Sequence, residues 1–304
     1  MNYKNSFKVT ANNFMLVWKQ LLYTLIVGGL VAFMVYELVK PINNLLTTKG
    51  WFFEAKQFIE TIFTSPKGAF KGLKTLFDSF WNIIFANFKL VWGSSVFIFI
   101  LVIFVPCFTF NISYYVQGEL LNARLNSWAK YGFCQKLISS FKRSSLYALL
   151  QFLLSIPFVI LCAVWIVLYL YIVNTWVGAT LALPILVTLV ICTFALKKTI
   201  LFWFLPSAVI SDKSVGKALK EGVVLASKNF GRLFLNIIVI YVVELFAVVL
   251  FGVFTLGAGL ILIVPAIPIV NTSLEFVSYY SKSKLCYYIN ENTIIKPIET
   301  ESIK

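Results

Sequence analysis

Glu244 stands near the middle of an apolar run at 233–254, and Glu275 lies deep in the next run, 256–280, within Asn271-Thr-Ser-Leu-Glu. An ionisable group at such depth costs at least about 2.5–3.5 kcal/mol to insert in lipid unless it is neutral or paired. With Asn236 and Asn271, the two glutamates could line a polar cavity for a proton or a small cation, the chemistry of a transporter or channel component. The competing reading is structural: Glu244 protonated and hydrogen-bonded to a neighbouring helix, and Glu275 reaching the interface or Arg232. A second set is cationic. Lys213, Lys217, Lys220, Lys228 and Arg232 punctuate 211–232 and offer contacts to anionic lipid headgroups.

Little else in the chain suits catalysis. There is no histidine, which removes the commonest metal ligand and general base. The five cysteines, Cys107, Cys134, Cys162, Cys192 and Cys286, show no C-x-x-C spacing, and three lie in apolar runs where a thiol packs as a small hydrophobe. No paired carboxylates in a polar loop and no phosphate-cradling glycine loop are present. The expectation is a protein that is not an enzyme and holds no cofactor or metal.

The elements that must position these groups are membrane spans. The chain has 304 residues, 60% hydrophobic and 12% charged, whereas soluble domains run near half apolar and about a quarter charged. The net charge of +14 would suggest nucleic acid in a soluble chain, but here the basic residues flank apolar runs, so lipid is the nearer partner. Runs at 21–38, 96–116, 146–172, 178–196, 233–254 and 256–280 approach or exceed the length of about 20 residues that crosses a hydrocarbon core about 30 Å thick. The fold class expected is an all-α polytopic bundle of about six transmembrane helices in three hairpins, a single integral membrane domain over 1–304. The first run is longer than a signal-peptide core and no small-x-small site follows it, so it is read as retained.

Amphipathic segments accompany the spans. Residues 1–20 place Tyr3, Phe7, Ala11, Phe14 and Trp18 at helical spacing with Lys4, Lys8 and Asn12 between them. In 40–93, Trp51, Phe52, Ala55, Phe58 and Ile59 make one aromatic face, Pro66-Lys-Gly interrupts, and Phe70, Leu73, Phe77, Phe80, Ile84 and Phe88 make a second. Their backs carry Lys56, Lys67, Lys71, Lys74 and Lys89. Two readings are open: a hairpin lying in the lipid interface, or faces packed on the bundle. Residues 211–230 form a cationic amphipathic helix, and 281–304 a tail.

Placing the amino terminus in the cytoplasm puts 3, 5, 7 and 4 Lys or Arg in the inner segments 1–20, 117–145, 197–232 and 281–304. That is 19 of 26, the other seven lying in 40–93. Positive charge in short loops marks the cytoplasmic side, so both termini are expected inside. A cationic amphipathic helix precedes spans one, three and five, and Asn13-Phe14 is echoed by Asn229-Phe230 and more loosely by Ser140-Phe141, a pattern of three-fold repetition. Pro106, Pro157, Pro184, Pro265 and Pro268 interrupt four spans; broken helices build sites in transporters, and kinks are also ordinary packing features.

The run 205–222, then Ser227-Lys-Asn-Phe-Gly-Arg-Leu-Phe, the Gly257-Ala-Gly turn and Pro265 resemble the membrane domain attached to some glycerophosphodiester phosphodiesterases, and related uncharacterised six-span bacterial families. The likeness covers mainly 200–280, with looser agreement over 1–40. It implies a membrane bundle in a bacterial cell membrane; with no soluble region long enough for the catalytic barrel, the family's activity carries over to no residue. The functions expected are therefore a non-enzymatic membrane-organising, lipid-interacting or partner-associated protein, alone or as a homo-oligomer, and alternatively a transporter or channel component built on Glu244.

Overall fold

The computed structural model describes residues 3–64, 69–175, 179–211 and 213–296. Of the described residues, 86% are helical. Among the described residues six helices are long and apolar enough to cross a membrane: Met15–Thr48, Val91–Ser127, Phe141–Tyr169, Pro184–Ile210, Phe230–Phe254 and Leu260–Lys282. The protein is an all-α, multi-pass membrane protein. Its chain divides into two compact units, one of 1–24 with 108–304 and one of 25–107.

The first helices are α1 (Tyr3–Asn12) and α2 (Met15–Thr48). At 34 residues α2 is about 51 Å long, so the first span continues ten residues past the expected end and takes in the start of the 40–93 segment. It stops at Gly50, whose φ of 75° is the left-handed conformation that glycine adopts without strain. In the second unit α3 (Trp51–Thr64) packs on α4 (Ala69–Ala86). The Trp51 indole donates to the Leu76 carbonyl at 3.3 Å, and the Ser79 hydroxyl to Glu54 Oε2 at 2.6 Å. Phe52, Phe53, Phe77, Trp81 and Phe85 are exposed, and Ile84 is buried. The Pro66-Lys-Gly break lies outside the described residues. The return helix is α5 (Phe88–Phe99), a π-helical turn (Ile100–Phe104) and α6 (Val105–Ser127); Pro106, which cannot donate to the preceding turn, follows directly on the widened winding.

The larger unit continues with α7 (Phe133–Ser139), α8 (Phe141–Thr175), α9 (Ala179–Leu201), α10 (Phe204–Ile210), α11 (Val215–Ser227), α12 (Phe230–Phe254) and α13 (Leu260–Lys282). Its core is aromatic. Tyr147 packs between Tyr115 and Phe204, with ring centroids 5.3 and 4.7 Å away. Gly222 lets α11 cross α10 closely: a Cβ there would lie 2.9 Å from Phe204 N and Cα. The uncharged turn between α12 and α13 closes with Leu256 and Gly257 at positive φ and the Gly259 N–H donating to Thr255 Oγ1 at 2.6 Å.

Where a loose tail was expected, the chain after α13 forms a hairpin of β1 (Tyr287–Asn290) and β2 (Thr293–Ile295). Tyr287 and Ile289 are buried. The hairpin fastens α1: Asn5 Nδ2 donates to the Tyr287 hydroxyl and Asn12 Nδ2 to the Ile289 carbonyl, both at 2.9 Å. The remainder of the tail, 297–304, lies outside the described residues.

The repeated Asn-Phe pair marks a shared hinge. At Asn13, Ser140 and Asn229 a short helix ends, the side chain donates to the carbonyl four residues back at 2.8, 2.7 and 3.4 Å, and the residue's own carbonyl accepts the first bond of the next span. A fourth copy, not anticipated, stands at Asn87-Phe88 between α4 and α5, with Asn87 Nδ2 donating to Ile83 O at 2.9 Å. Backbone angles agree: φ and ψ are −114° and 26° at Asn87, −103° and 8° at Ser140, −128° and 24° at Asn229. In all four the following phenylalanine is exposed. Such back-bonding side chains compete with the helical ladder and turn the chain.

A charged chamber as candidate functional site

Five helices of the larger unit, α6, α8, α9, α12 and α13, surround a cavity of about 230 Å³. Its polar lining includes Tyr114 from α6, Tyr147 and Gln151 from α8, Lys198 from α9, Tyr241 from α12 and Glu275 from α13. The two charges meet. Lys198 Nζ donates to Glu275 Oε1, the Tyr114 hydroxyl donates to the same oxygen at 2.8 Å, and Lys198 also lies 3.1 Å from the Tyr114 oxygen. Glu275 is 2% exposed and its Oε2 has no hydrogen-bond partner among the described residues.

The pair follows from how the sequence winds. Lys197-Lys198 was expected to end the fourth span, but the apolar run does not stop there. The helix continues to Leu201, turns once at Trp203 and resumes as α10, so Lys198 sits inside the span Pro184–Ile210. Lys197 lines the chamber beside it. On α13, Asn271 and Glu275 are one turn apart and face the same way. Pro268 lies one turn earlier on the same wall, and its carbonyl accepts from Thr272 Oγ1 at 2.7 Å.

Of the expected intramembrane set, the structure brings Glu275 and Asn271 into the chamber. Glu244 joins indirectly: its Oε1 accepts from Asn271 Nδ2 at 2.8 Å, but it is not among the lining residues. Asn236 does not belong to the set. It lines a separate groove together with Arg232, because two turns of α12 carry it to the end of the unit where that helix begins. The expectation that Glu275 reaches the interface or Arg232 is also overturned, since it is enclosed and held by Lys198. Sequence reasoning missed Lys198 and Tyr114. The available signal for Lys198 was an ionisable residue with apolar chain on both sides.

The cationic amphipathic segment forms α11 over Val215–Ser227. Val215, Ala218, Gly222 and Ala226, its apolar face, are buried against protein and do not rest on lipid; the small residues permit that close approach. Lys217, Lys220 and, just past the end of α11, Lys228 are exposed; Arg232, on α12, is also exposed and lines the groove. Lys213 pairs with Glu221 at 2.7 Å, and that hydrogen bond raises its pKa above the ordinary lysine value. In α1 Ser6, Val9 and Thr10 are buried while Lys4, Phe7 and Lys8 are exposed. Phe14, in the turn that follows, and Trp18, in α2, are exposed as well.

No group of three or more metal-ligating side chains occurs among the described residues. No family model, curated protein or solved structure matches the chain.

Proposed function

We propose that this chain is a non-enzymatic protein of the bacterial cell membrane, with both termini in the cytoplasm, that admits a small polar solute or ion to the chamber as a transporter or channel component. The observation that supports this reading is the Lys198–Glu275 pair, with its carboxylate buried and its lysine partly exposed, at a cavity within a membrane bundle. Ionisable groups kept at that depth mark solute or ion pathways, because desolvating them is unfavourable and packing alone has no use for them. Lys198 can hold an anionic group, and the unpartnered Glu275 Oε2 can accept from a donor, so a proton, a small cation or a zwitterion of a few heavy atoms suits the space.

The test is reconstitution of the whole chain in liposomes. Proton flux would be followed with entrapped pyranine, and uptake with labelled amino acids, small carboxylates and sugars. The expected result is flux above protein-free vesicles that Glu275→Gln reduces at least tenfold. Flux indistinguishable from empty vesicles for every probe would overturn the reading.

A second reading, membrane organisation through anionic lipid, draws on the exposed phenylalanine at every hinge and on the outward Lys217, Lys220 and Lys228. Its check is vesicle binding by the quadruple variant Lys213→Gln, Lys217→Gln, Lys220→Gln and Lys228→Gln. Unchanged preference for anionic vesicles would remove it.

A further inference from the structure

A second cavity, of about 670 Å³, lies where α12 begins and α13 ends. Three cations from three helices line it: Lys4 from α1, Arg232 from α12 and Lys282 from α13. No carboxylate lines it, and among the described residues none of the three cations makes an ion pair. The uncharged lining supplies further donors in Tyr3, Asn229, Asn236, Ser278 and Ser281. Trp203 belongs to the same wall, is 4% exposed, and its buried indole N–H has no acceptor among the described residues. Lys282 Nζ already leans on Asn229 Oδ1 at 3.5 Å, so two parts of the wall are held together. Leu233, buried, completes the lining.

A site rich in donors, with three positive charges and no negative one, is built for a multiply accepting anion. Arginine in such a site offers a planar fork that engages two phosphate oxygens at once. The volume falls within the range of about 300–1,000 Å³ usual for small-ligand sites. The position selects the source of the phosphate. From Arg232 the apolar, exposed side chains of Leu235, Val239, Val242 and Phe246 continue along α12, a track on which an acyl chain can lie while the headgroup occupies the groove. A soluble phosphate ester would use the groove and leave the track bare.

We infer that this groove is a phosphate-binding site that seats the headgroup of one anionic phospholipid, closed on one side by the amino-terminal helix. The site is separate from the chamber, so Glu275→Gln leaves it intact. It also differs from a general attraction of the α11 lysines to a charged leaflet, because it has a stoichiometry of one and a defined set of donors.

The experiment is titration of the purified full-length protein with phosphatidylglycerol or phosphatidylcholine in detergent, read by native mass spectrometry. One phosphatidylglycerol is expected to be retained per chain in preference to phosphatidylcholine. Arg232→Gln and Lys282→Gln each weaken it about fivefold, and the pair about twenty-five-fold, from the contribution of one basic residue to anionic-lipid attraction. The double variant Lys217→Gln, Lys220→Gln removes equal charge from the exposed face of α11 and should change the first binding event by less than twofold. Equal weakening by the two double variants, or equal retention of the two lipids, would overturn the assignment. Competition with inorganic phosphate and with glycerol 1-phosphate separates the sources: displacement of the lipid by either at comparable concentration would overturn the lipid assignment in favour of a soluble ester. If a glutamine variant fails to fold, Ser281→Glu, which places a carboxylate at an exposed wall position, should abolish binding while the melting temperature is kept; retained binding in that variant would also overturn the site.

Discussion

The Tyr114 hydroxyl donates to Glu275 Oε1 at 2.8 Å, joining residues 161 positions apart and tying α6 to α13 across the chamber. The same oxygen takes Lys198. Tyr114 therefore fixes where the carboxylate stands, and Lys198 compensates its charge.

Removing one partner of this pair leaves a buried charge alone, which typically costs about 3–5 kcal/mol, whereas replacing both by apolar groups is often neutral. Lys198→Met is expected to lower the melting temperature in detergent sharply, and adding Glu275→Leu to recover most of the loss. Tyr114→Phe should cost about 1.5–3 kcal/mol, the range for a hydrogen bond to a charged group. A double variant no more stable than Lys198→Met alone would contradict the pairing.

Glu244 touches the chamber only through Asn271. Glutamine preserves an acceptor for the Asn271 amide, so Glu244→Gln should melt within about 0.5 kcal/mol of the parent. Glu244→Leu strands that amide and should cost about 1–3 kcal/mol. In liposomes, Glu244→Gln should alter flux far less than Glu275→Gln does.

The hinges are testable in parallel. Alanine at Asn13 or Asn87 deletes a side-chain bond of 2.8 or 2.9 Å and should destabilise by about 1 kcal/mol. At Asn229, where the bond is 3.4 Å long, the loss should be smaller. Hydrogen exchange should rise in the last turn of the preceding helix in each case.

Gly222→Ala sets two effects against each other. Alanine favours an isolated helix by about 1 kcal/mol, but the added methyl meets Phe204 backbone at 2.9 Å, and overpacking of that kind costs typically about 1–3 kcal/mol. Because backbone cannot swing aside as a side chain can, the net effect should be a lower melting temperature. A rise would show that α10 and α11 separate easily.

The spans were legible because their signal is additive: twenty apolar residues in a row leave no soluble alternative. The class of fold follows from that alone. Lys198 was read as a boundary because a charge ends an apolar run in a sequence, whereas α9 continues past it to Leu201 and α10 follows directly. Asn236 was grouped with Glu244 by proximity along α12, although two turns separate a helix end from its middle. The hinge was half visible. Its Asn-Phe signature is short, and the copy at Asn87-Phe88 lies between aromatic segments whose own pattern conceals it. The β-hairpin of the tail is short, with Tyr287 and Ile289 buried and Ile295 packed against the same core, and its partner α1 lies 277–282 residues earlier.

That last pairing constrains the order of assembly. The bonds from Asn5 to Tyr287 and from Asn12 to Ile289 join α1 to strands made roughly 15–55 s later, at about 5–20 residues per second. Until the hairpin is made, Asn5 and Asn12 lack these two partners. Docking of α1 is thus coupled to synthesis of the hairpin, and a nascent chain arrested before it would hold α1 more accessible to proteases.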